Sequence, residues 1–176
     1  MTTSLSRTAL ACLLPLLFTA CGDSKPGAPG MPEPARVAFS ADLPPAIAQA
    51  TLVFNSQCNM ETLNDAPWGN ETLTLPKGAP FKVAGWGVVD VAKSVQADTV
   101  YVRLHSADGR VYVANAARTQ RADVAQYFNN PFYEASGYEV NGDVTALPAG
   151  EYAATLLMTH PGGVTLCDSG RRVTLQ

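Results

Sequence analysis

Apolar and polar residues alternate with a period of two along much of the chain from about residue 50. The alternation is clearest at residues 99–105, where two valines and a leucine share one face. Such alternation is typical of a half-buried β-strand. Residues 110–113 repeat it after the turn sequence at 106–109, which contains Asp-Gly. We therefore predict a β-hairpin in this region.

Short strands separated by turn residues are expected elsewhere in the chain. Residues 121–128 are the one segment with helical character, and we expect a helix of one or two turns there. Many short strands with turn residues at regular intervals indicate an all-β fold, an antiparallel β-sandwich. We predict five further strands, at residues 71–75, 81–89, 138–147, 152–158 and 172–175.

The sequence Leu-Pro-Ala-Gly-Glu-Tyr at residues 147–152 resembles the tyrosine corner of Greek-key sandwiches. By this resemblance Tyr152 begins the penultimate strand and its phenol bonds to the backbone upstream. Antibody-type domains carry a cysteine two residues later, whereas this chain has Ala154. The expected fold is therefore an immunoglobulin-like sandwich that is not of the antibody type.

The N-terminal segment resembles a lipoprotein signal peptide. Arg7 precedes an apolar run of about 11 residues, and a bilayer span needs roughly 20. Cys21 follows that run as in the lipobox of bacterial lipoproteins, although Phe18 stands where leucine is usual. The resemblance implies a lipid anchor on Cys21, in the outer membrane because aspartate is absent from the next position. An ordinary secretory signal cut near Ala20 is the alternative.

A Pro/Gly-rich segment follows the predicted signal peptide. Residues 22–36 contain four prolines and three glycines and almost no large apolar side chains. Such a segment cannot bury enough surface to fold. We predict a signal peptide at 1–20, a lipid-anchored tether at 21–48 and the β-sandwich domain at 49–176.

Two cysteines, Cys58 and Cys167, remain once Cys12 and Cys21 are assigned to the signal and the lipid. An even pair in an oxidising compartment favours a disulfide, here between the first strand and the last connection or strand. A metal or redox pair is the alternative. It lacks support because there is no CxxC sequence and the two histidines form no ligand cluster.

The charge and the motif content exclude several classes of function. The formal net charge of −3 argues against a nucleic-acid partner, which would require a basic face. The sequence contains no GxSxG, HExxH, SxxK or phosphate-binding glycine loop. We predict no enzymatic activity, no metal and no cofactor. A carboxylate pair for glycoside cleavage stays open, although no acidic residue stands out.

Four short sequences together resemble a known module. They are Gly-Trp-Gly-Val-Val-Asp at 85–90, Arg-x-Asp-Val-Ala-x-x-Phe at 121–128, Ser-Gly-Tyr at 136–138, and the sequence at 147–152. In this order they resemble a small β-sandwich module of bacterial envelope proteins, including membrane proteins of surface-polysaccharide biosynthesis. The resemblance covers roughly residues 55–176. It implies an accessory, non-catalytic domain and carries over no catalytic residue.

The predicted hairpin is one candidate ligand surface. If His105 and Arg110 flank a four-residue loop, Arg103 lies opposite Tyr112 and Tyr101 shares their face. Aromatic rings on a sheet face can stack on a sugar, while arginine donates to its hydroxyls. The alternative is an ordinary solvated sheet face.

Residues 127–133 form a second candidate surface, with four aromatic residues and two asparagines. We expect Phe128 and Phe132 to plug the end of the sandwich. Tyr127 and Tyr133 are left as candidates for contact with a glycan or a partner protein.

Three other residues are assigned structural roles. Trp86 lies between two glycines in a predicted strand, which favours a core ring. Asp123 can cap the short helix, and Arg121 can bond its carbonyls or a carboxylate.

The expected function is a binding or accessory module, with cell-surface polysaccharide as a candidate ligand. A protein-interaction or assembly factor of the envelope is the alternative.

Overall fold

The computed structural model describes residues 35–55 and 57–176. The predicted signal peptide, the Cys21 lipidation and the predicted tether up to residue 34 lie outside these residues. No helix in the described ranges is long and apolar enough to cross a membrane. The described elements are β1 Val37–Ala38, α1 Pro45–Ala48, β2 Leu52–Asn55, β3 Cys58–Leu63, β4 Ala66–Pro67, β5 Thr72–Leu75, β6 Phe81–Gly87, β7 Thr99–Ser106, β8 Val111–Thr119, α2 Ala122–Tyr127, a 3₁₀ helix Pro131–Ala135, β9 Gly137–Asp143, β10 Gly150–His160 and β11 Gly163–Leu175.

The strands form two sheets that share β8. The first sheet contains β1, β3, β4, β6 and β9, and the second contains β2, β5, β7, β10 and β11. Strand β8 pairs with β7 through residues 111–116 and with β9 through residues 117–119, so it passes from one sheet to the other. The predicted all-β sandwich is confirmed. Its pairings are antiparallel except that β1, β2 and β5 run parallel to their partners.

The main hydrophobic core lies between the two sheets. Buried and half-buried residues alternate along all of β6 and all of β7, as expected for strands with one face inward. The alternation predicted at residues 99–105 is therefore confirmed. Large fully buried side chains come from both sheets, among them Phe81, Tyr138, Leu104 and Leu156.

Two contacts predicted from the sequence are present, one between the sheets and one local. Cys58 of β3 and Cys167 of β11 form a disulfide, 109 residues apart in the chain, which ties the first sheet to the second. The Tyr152 hydroxyl, at the start of β10, donates to the Pro148 carbonyl over 2.7 Å. This bond has the geometry of a tyrosine corner.

The folded domain begins earlier than the predicted boundary at residue 49. Strand β1 pairs with β9, and Phe39 is buried in the main core. Ile47 of α1 is buried against the outer face of the second sheet, with Leu43 beside it. The reason is that residues 37–47 carry several large apolar side chains, whereas Met31 is the one such residue in the Pro/Gly-rich sequence at 22–36.

Candidate functional site

An open groove of about 570 Å³ lies on the outer face of the first sheet, beside helix α2. The sheet contributes Glu61 from β3 and Trp86 from β6, together with the amide side chain of Asn59. The helix segment contributes a charged end and an aromatic end. Its lining residues are Arg121, Asp123, Val124, Tyr127 and Phe128.

Trp86 is half-buried and faces this groove, where it packs on the smaller hydrophobic cluster of Val124 and Tyr133 instead of in the main core between the sheets. Alternation along β6 directs Gly85 and Gly87 toward the core and Trp86 outward. The inner space at Gly85 is taken by Tyr138, because a Cβ there would lie 2.8 Å from the Tyr138 hydroxyl and 2.0 Å from the Asn59 carbonyl oxygen. The indole instead packs edge-on against Phe128, with ring centroids 5.7 Å apart.

Helix α2 holds the other wall of the groove. Val124 and Ala125 are buried on its inner side, where they pack with the fully buried Tyr133. The backbone N–H of Arg121 donates to the Glu134 carbonyl over 2.6 Å, which fixes the start of the helix to the 3₁₀ helix. The short helix predicted at residues 121–128 is therefore present.

Arg121 bridges two carboxylates in the groove. Its Nε and Nη2 donate to the two oxygens of Asp123 over 2.8 and 2.6 Å. Its Nη1 and Nη2 donate to the two oxygens of Glu61 over 2.7 and 3.1 Å. The hydrogen bonds from Arg121 hold the pKa of Asp123 at about 2. Arg121 itself is the N-cap residue of α2, and no side chain caps the helix, so the capping role expected of Asp123 is not observed.

The contacts with Arg121 leave the Asp123 carboxylate suited to accepting hydrogen bonds and not to donating a proton. The acid of a glycosidase needs a carboxyl group whose pKa is raised. Arg121 instead lowers the pKa of Asp123. Both oxygens of Glu61 accept hydrogen bonds from the same guanidinium. The carboxylates therefore offer lone pairs to donors such as hydroxyl groups.

The aromatic residues at 127–133 are distributed differently from the expectation. Tyr127 is 81% exposed and lines the groove, whereas Tyr133 is fully buried and its hydroxyl donates to the Val91 carbonyl over 3.2 Å. A buried Tyr133 cannot touch a ligand. Phe132, expected to be a plug, is 56% exposed. The Asn130 side chain accepts the Phe132 N–H at the start of the 3₁₀ helix, and this turn directs Tyr133 inward.

The hairpin does not form the predicted surface, because its register differs by one residue. The Ser106 N–H donates to the Arg110 carbonyl, so Ser106 and Arg110 close a loop of three residues. The prediction was a loop of four residues between His105 and Arg110. Arg103 consequently pairs with Val113, and Tyr112 pairs with Leu104. A shift of one residue moves a side chain to the other face of the sheet.

Tyr112 is therefore separated from the other two hairpin candidates. Tyr112 packs against the main core beside Tyr152, with ring centroids 6.2 Å apart. Tyr101 and Arg103 lie on the opposite face, where Tyr101 packs with the apolar cluster under α1. Arg103 donates to Thr155 over 3.4 Å, and burial lowers the pKa of its guanidinium.

Glu61 and Asn59 were not identified from the sequence, although a signal was present. Polar Asn59 and Glu61 alternate with buried Cys58 and Met60, which is the pattern of a strand with one polar face. The alternation then breaks at a register shift between Met60 and Thr62. Leu63 is buried as a result, although an unbroken alternation would bury Thr62. The strand therefore shows no continuous period of two in its sequence.

The described residues contain no group of three or more histidine, cysteine, aspartate or glutamate side chains placed to hold a metal ion. Comparison of the chain with protein-family models, with curated protein sequences and with solved structures finds no match.

Proposed function

We propose that this chain is a non-catalytic lipoprotein of the bacterial envelope whose β-sandwich binds carbohydrate in the groove beside α2. The observation that carries the proposal is the exposed ring of Tyr127 and the half-buried ring of Trp86 beside the carboxylates of Glu61 and Asp123. No enzymatic step, cofactor or nucleic acid is part of the proposal.

The chemistry of the groove matches that of a sugar. A pyranose presents apolar C–H faces that pack on aromatic rings and hydroxyl groups that need hydrogen-bond partners. Trp86 and Tyr127 supply rings, while Glu61 and Asp123 supply acceptors stronger than neutral ones. The groove volume of about 570 Å³ lies within the range that small ligands occupy.

The proposed attachment of the protein to the outer membrane rests on its N-terminal sequence. The lipobox-like segment ending at Cys21 supports attachment to the membrane through a lipid, in the outer membrane of a diderm bacterium. Incorporation of labelled fatty acid should be lost in a Cys21→Ala variant and kept in Cys12→Ala. Labelling of both variants would contradict the anchor.

The binding function is tested by a screen of envelope polysaccharides against the purified full-length protein in detergent. We expect saturable binding, and a loss of at least about fivefold in affinity with Tyr127→Ala, because truncation of an aromatic anchor residue costs over about 1 kcal/mol. Phe132→Ala is the matched control, since Phe132 is also an exposed aromatic residue and does not line the groove. Equal loss in both variants, or no binding by the parent protein, would contradict the proposal.

A protein-interaction role is the second candidate, and strand β2 favours it. Among the described residues β2 ends the path of paired strands, and it exposes 58% of Val53 and 75% of Phe54. An edge strand with exposed apolar side chains suits the addition of a strand from another protein. A photo-crosslinker at Phe54 that captures one stoichiometric envelope protein, together with a negative polysaccharide screen, would favour this role over carbohydrate binding.

A further inference from the structure

The groove carries a net negative charge. Its charged lining residues are Glu61, Asp123 and Arg121, so among the described residues two carboxylates face one guanidinium. Arg171 lies nearby but does not line the groove, because it donates to the Met60 carbonyl and to the Asn59 side-chain oxygen.

Arg121, the one cationic side chain of this lining, already donates hydrogen bonds to two carboxylates of the protein. A guanidinium has five N–H donors. Four hydrogen bonds from Arg121 go to the oxygens of Glu61 and Asp123, at 2.6 to 3.1 Å. The Arg121 side chain is only 19% exposed. An anionic ligand would therefore find at most one free donor there and would also face two carboxylates.

The carboxylates stay open to donors from a ligand. The Asp123 side chain is 66% exposed and that of Glu61 is 35% exposed. Each carboxylate oxygen can accept more than one hydrogen bond, so the contacts with Arg121 do not exhaust them. The faces of the Trp86 and Tyr127 rings carry negative partial charge, which also attracts cations and repels anions.

We infer that the groove selects uncharged sugars and amino sugars and rejects acidic ones, such as uronates and phosphorylated sugars. This inference rests on the proposed carbohydrate function and adds the class of ligand. Hydroxyl or ammonium donors of the ligand bind the free lone pairs of Glu61 and Asp123. The ring face of the sugar packs on Tyr127 or Trp86.

Three oligosaccharide probes of equal length test the inference on the full-length protein in detergent. They are a glucosamine oligomer, its N-acetylated counterpart and a galacturonate oligomer, compared at pH 5.5 and low salt. We expect the N-acetylated probe to bind at least about tenfold more tightly than the galacturonate. The glucosamine probe should exceed the N-acetylated one by about two- to fivefold, the range of an exposed ion pair. That advantage should fall as salt is added.

Two charge variants complete the experiment. Asp123→Asn should bring the ratio of glucosamine to N-acetylglucosamine affinity toward one, whereas Glu151→Gln should leave it unchanged. Glu151 is an exposed residue of β10 outside the groove, so its variant removes the same charge elsewhere. Galacturonate binding as tight as that of the other probes would overturn the inference and leave the carbohydrate function standing. Failure of all three probes and of the polysaccharide screen would overturn the function itself.

Discussion

At the scale of single residues, Gly85 determines how closely β3 approaches β6. The absence of a side chain lets the Tyr138 hydroxyl reach across β6 and donate to the Asn59 carbonyl over 3.2 Å. Burial raises the pKa of Tyr138 well above its usual value, so this phenol stays a donor. The same contact supports the strand that carries the polar residues of the groove.

We expect Gly85→Ala to destabilise the domain by about 1–3 kcal/mol, the usual cost of an overpacked core position. The added methyl group would lie 2.0 Å from a backbone oxygen of β3, which cannot move without shifting the strand. Urea denaturation of the parent and variant proteins measures the change. Gly162→Ala is the control, because its nearest contact is the movable ring of His160 at 3.1 Å. Equal stability of Gly85→Ala and the parent would contradict this account of the packing.

At the scale of secondary structure, the loop between β7 and β8 sets the register of the hairpin. The Asp108 carboxylate binds the Arg110 guanidinium over 2.6 Å and accepts the Ser106 hydroxyl over 2.5 Å. These bonds, with the turn from Ser106 to Arg110, favour the three-residue loop over a longer one. The loop therefore decides that Tyr112 points inward.

The hydrogen bond from Arg110, followed by that from Ser106, holds the pKa of Asp108 well below its usual value of 3.8. A carboxyl group with a lowered pKa in the folded state adds stability above its unfolded pKa, and this stability is lost as the pH falls below about 4. Asp108→Asn should therefore be less stable than the parent at pH 7, and the difference should shrink at pH 3. Chemical denaturation at the two pH values measures it. A difference that is constant with pH would contradict the role of the charge.

At the scale of the whole molecule, the disulfide joins the two sheets beside the groove. Cys58 lines the groove and Cys167 lies in the last strand. Closing a loop between residues 109 apart restricts the unfolded chain far more than it changes the folded one.

Replacement of Cys58 and Cys167 by alanine should lower the free energy of unfolding by about 2–5 kcal/mol and the melting temperature by roughly 10 °C. Thermal unfolding followed by circular dichroism measures the shift. Reduction of the parent protein serves as the control and should produce a similar loss. A melting temperature that is unchanged in both cases would mean that the bridge adds no stability.

The residue pattern by itself determined the fold class and several of its contacts. Alternation along residues 99–105 is enough to predict β7, because a strand with one buried face must repeat every two residues. The even pair of cysteines in the predicted mature domain predicted the disulfide. The resemblance of the sequence ending at Tyr152 to a tyrosine corner predicted the bond from Tyr152 to the backbone. The disulfide follows because each cysteine has one other cysteine to pair with in the predicted mature domain. The Tyr152 bond is local, since its acceptor lies four residues upstream.

The groove was decided only by the tertiary structure. Arg121 and Glu61 lie 60 residues apart in the chain, so their meeting depends on β3 and α2 sharing one face of the first sheet. The half-buried state of Trp86 depends on α2 covering the outer face of β6, where the indole packs against Phe128. The inward position of Tyr112 follows from a shift of one residue in register. Periodicity identifies which residues share a face, but it does not determine which face is covered by another element, because that depends on contacts between distant parts of the chain.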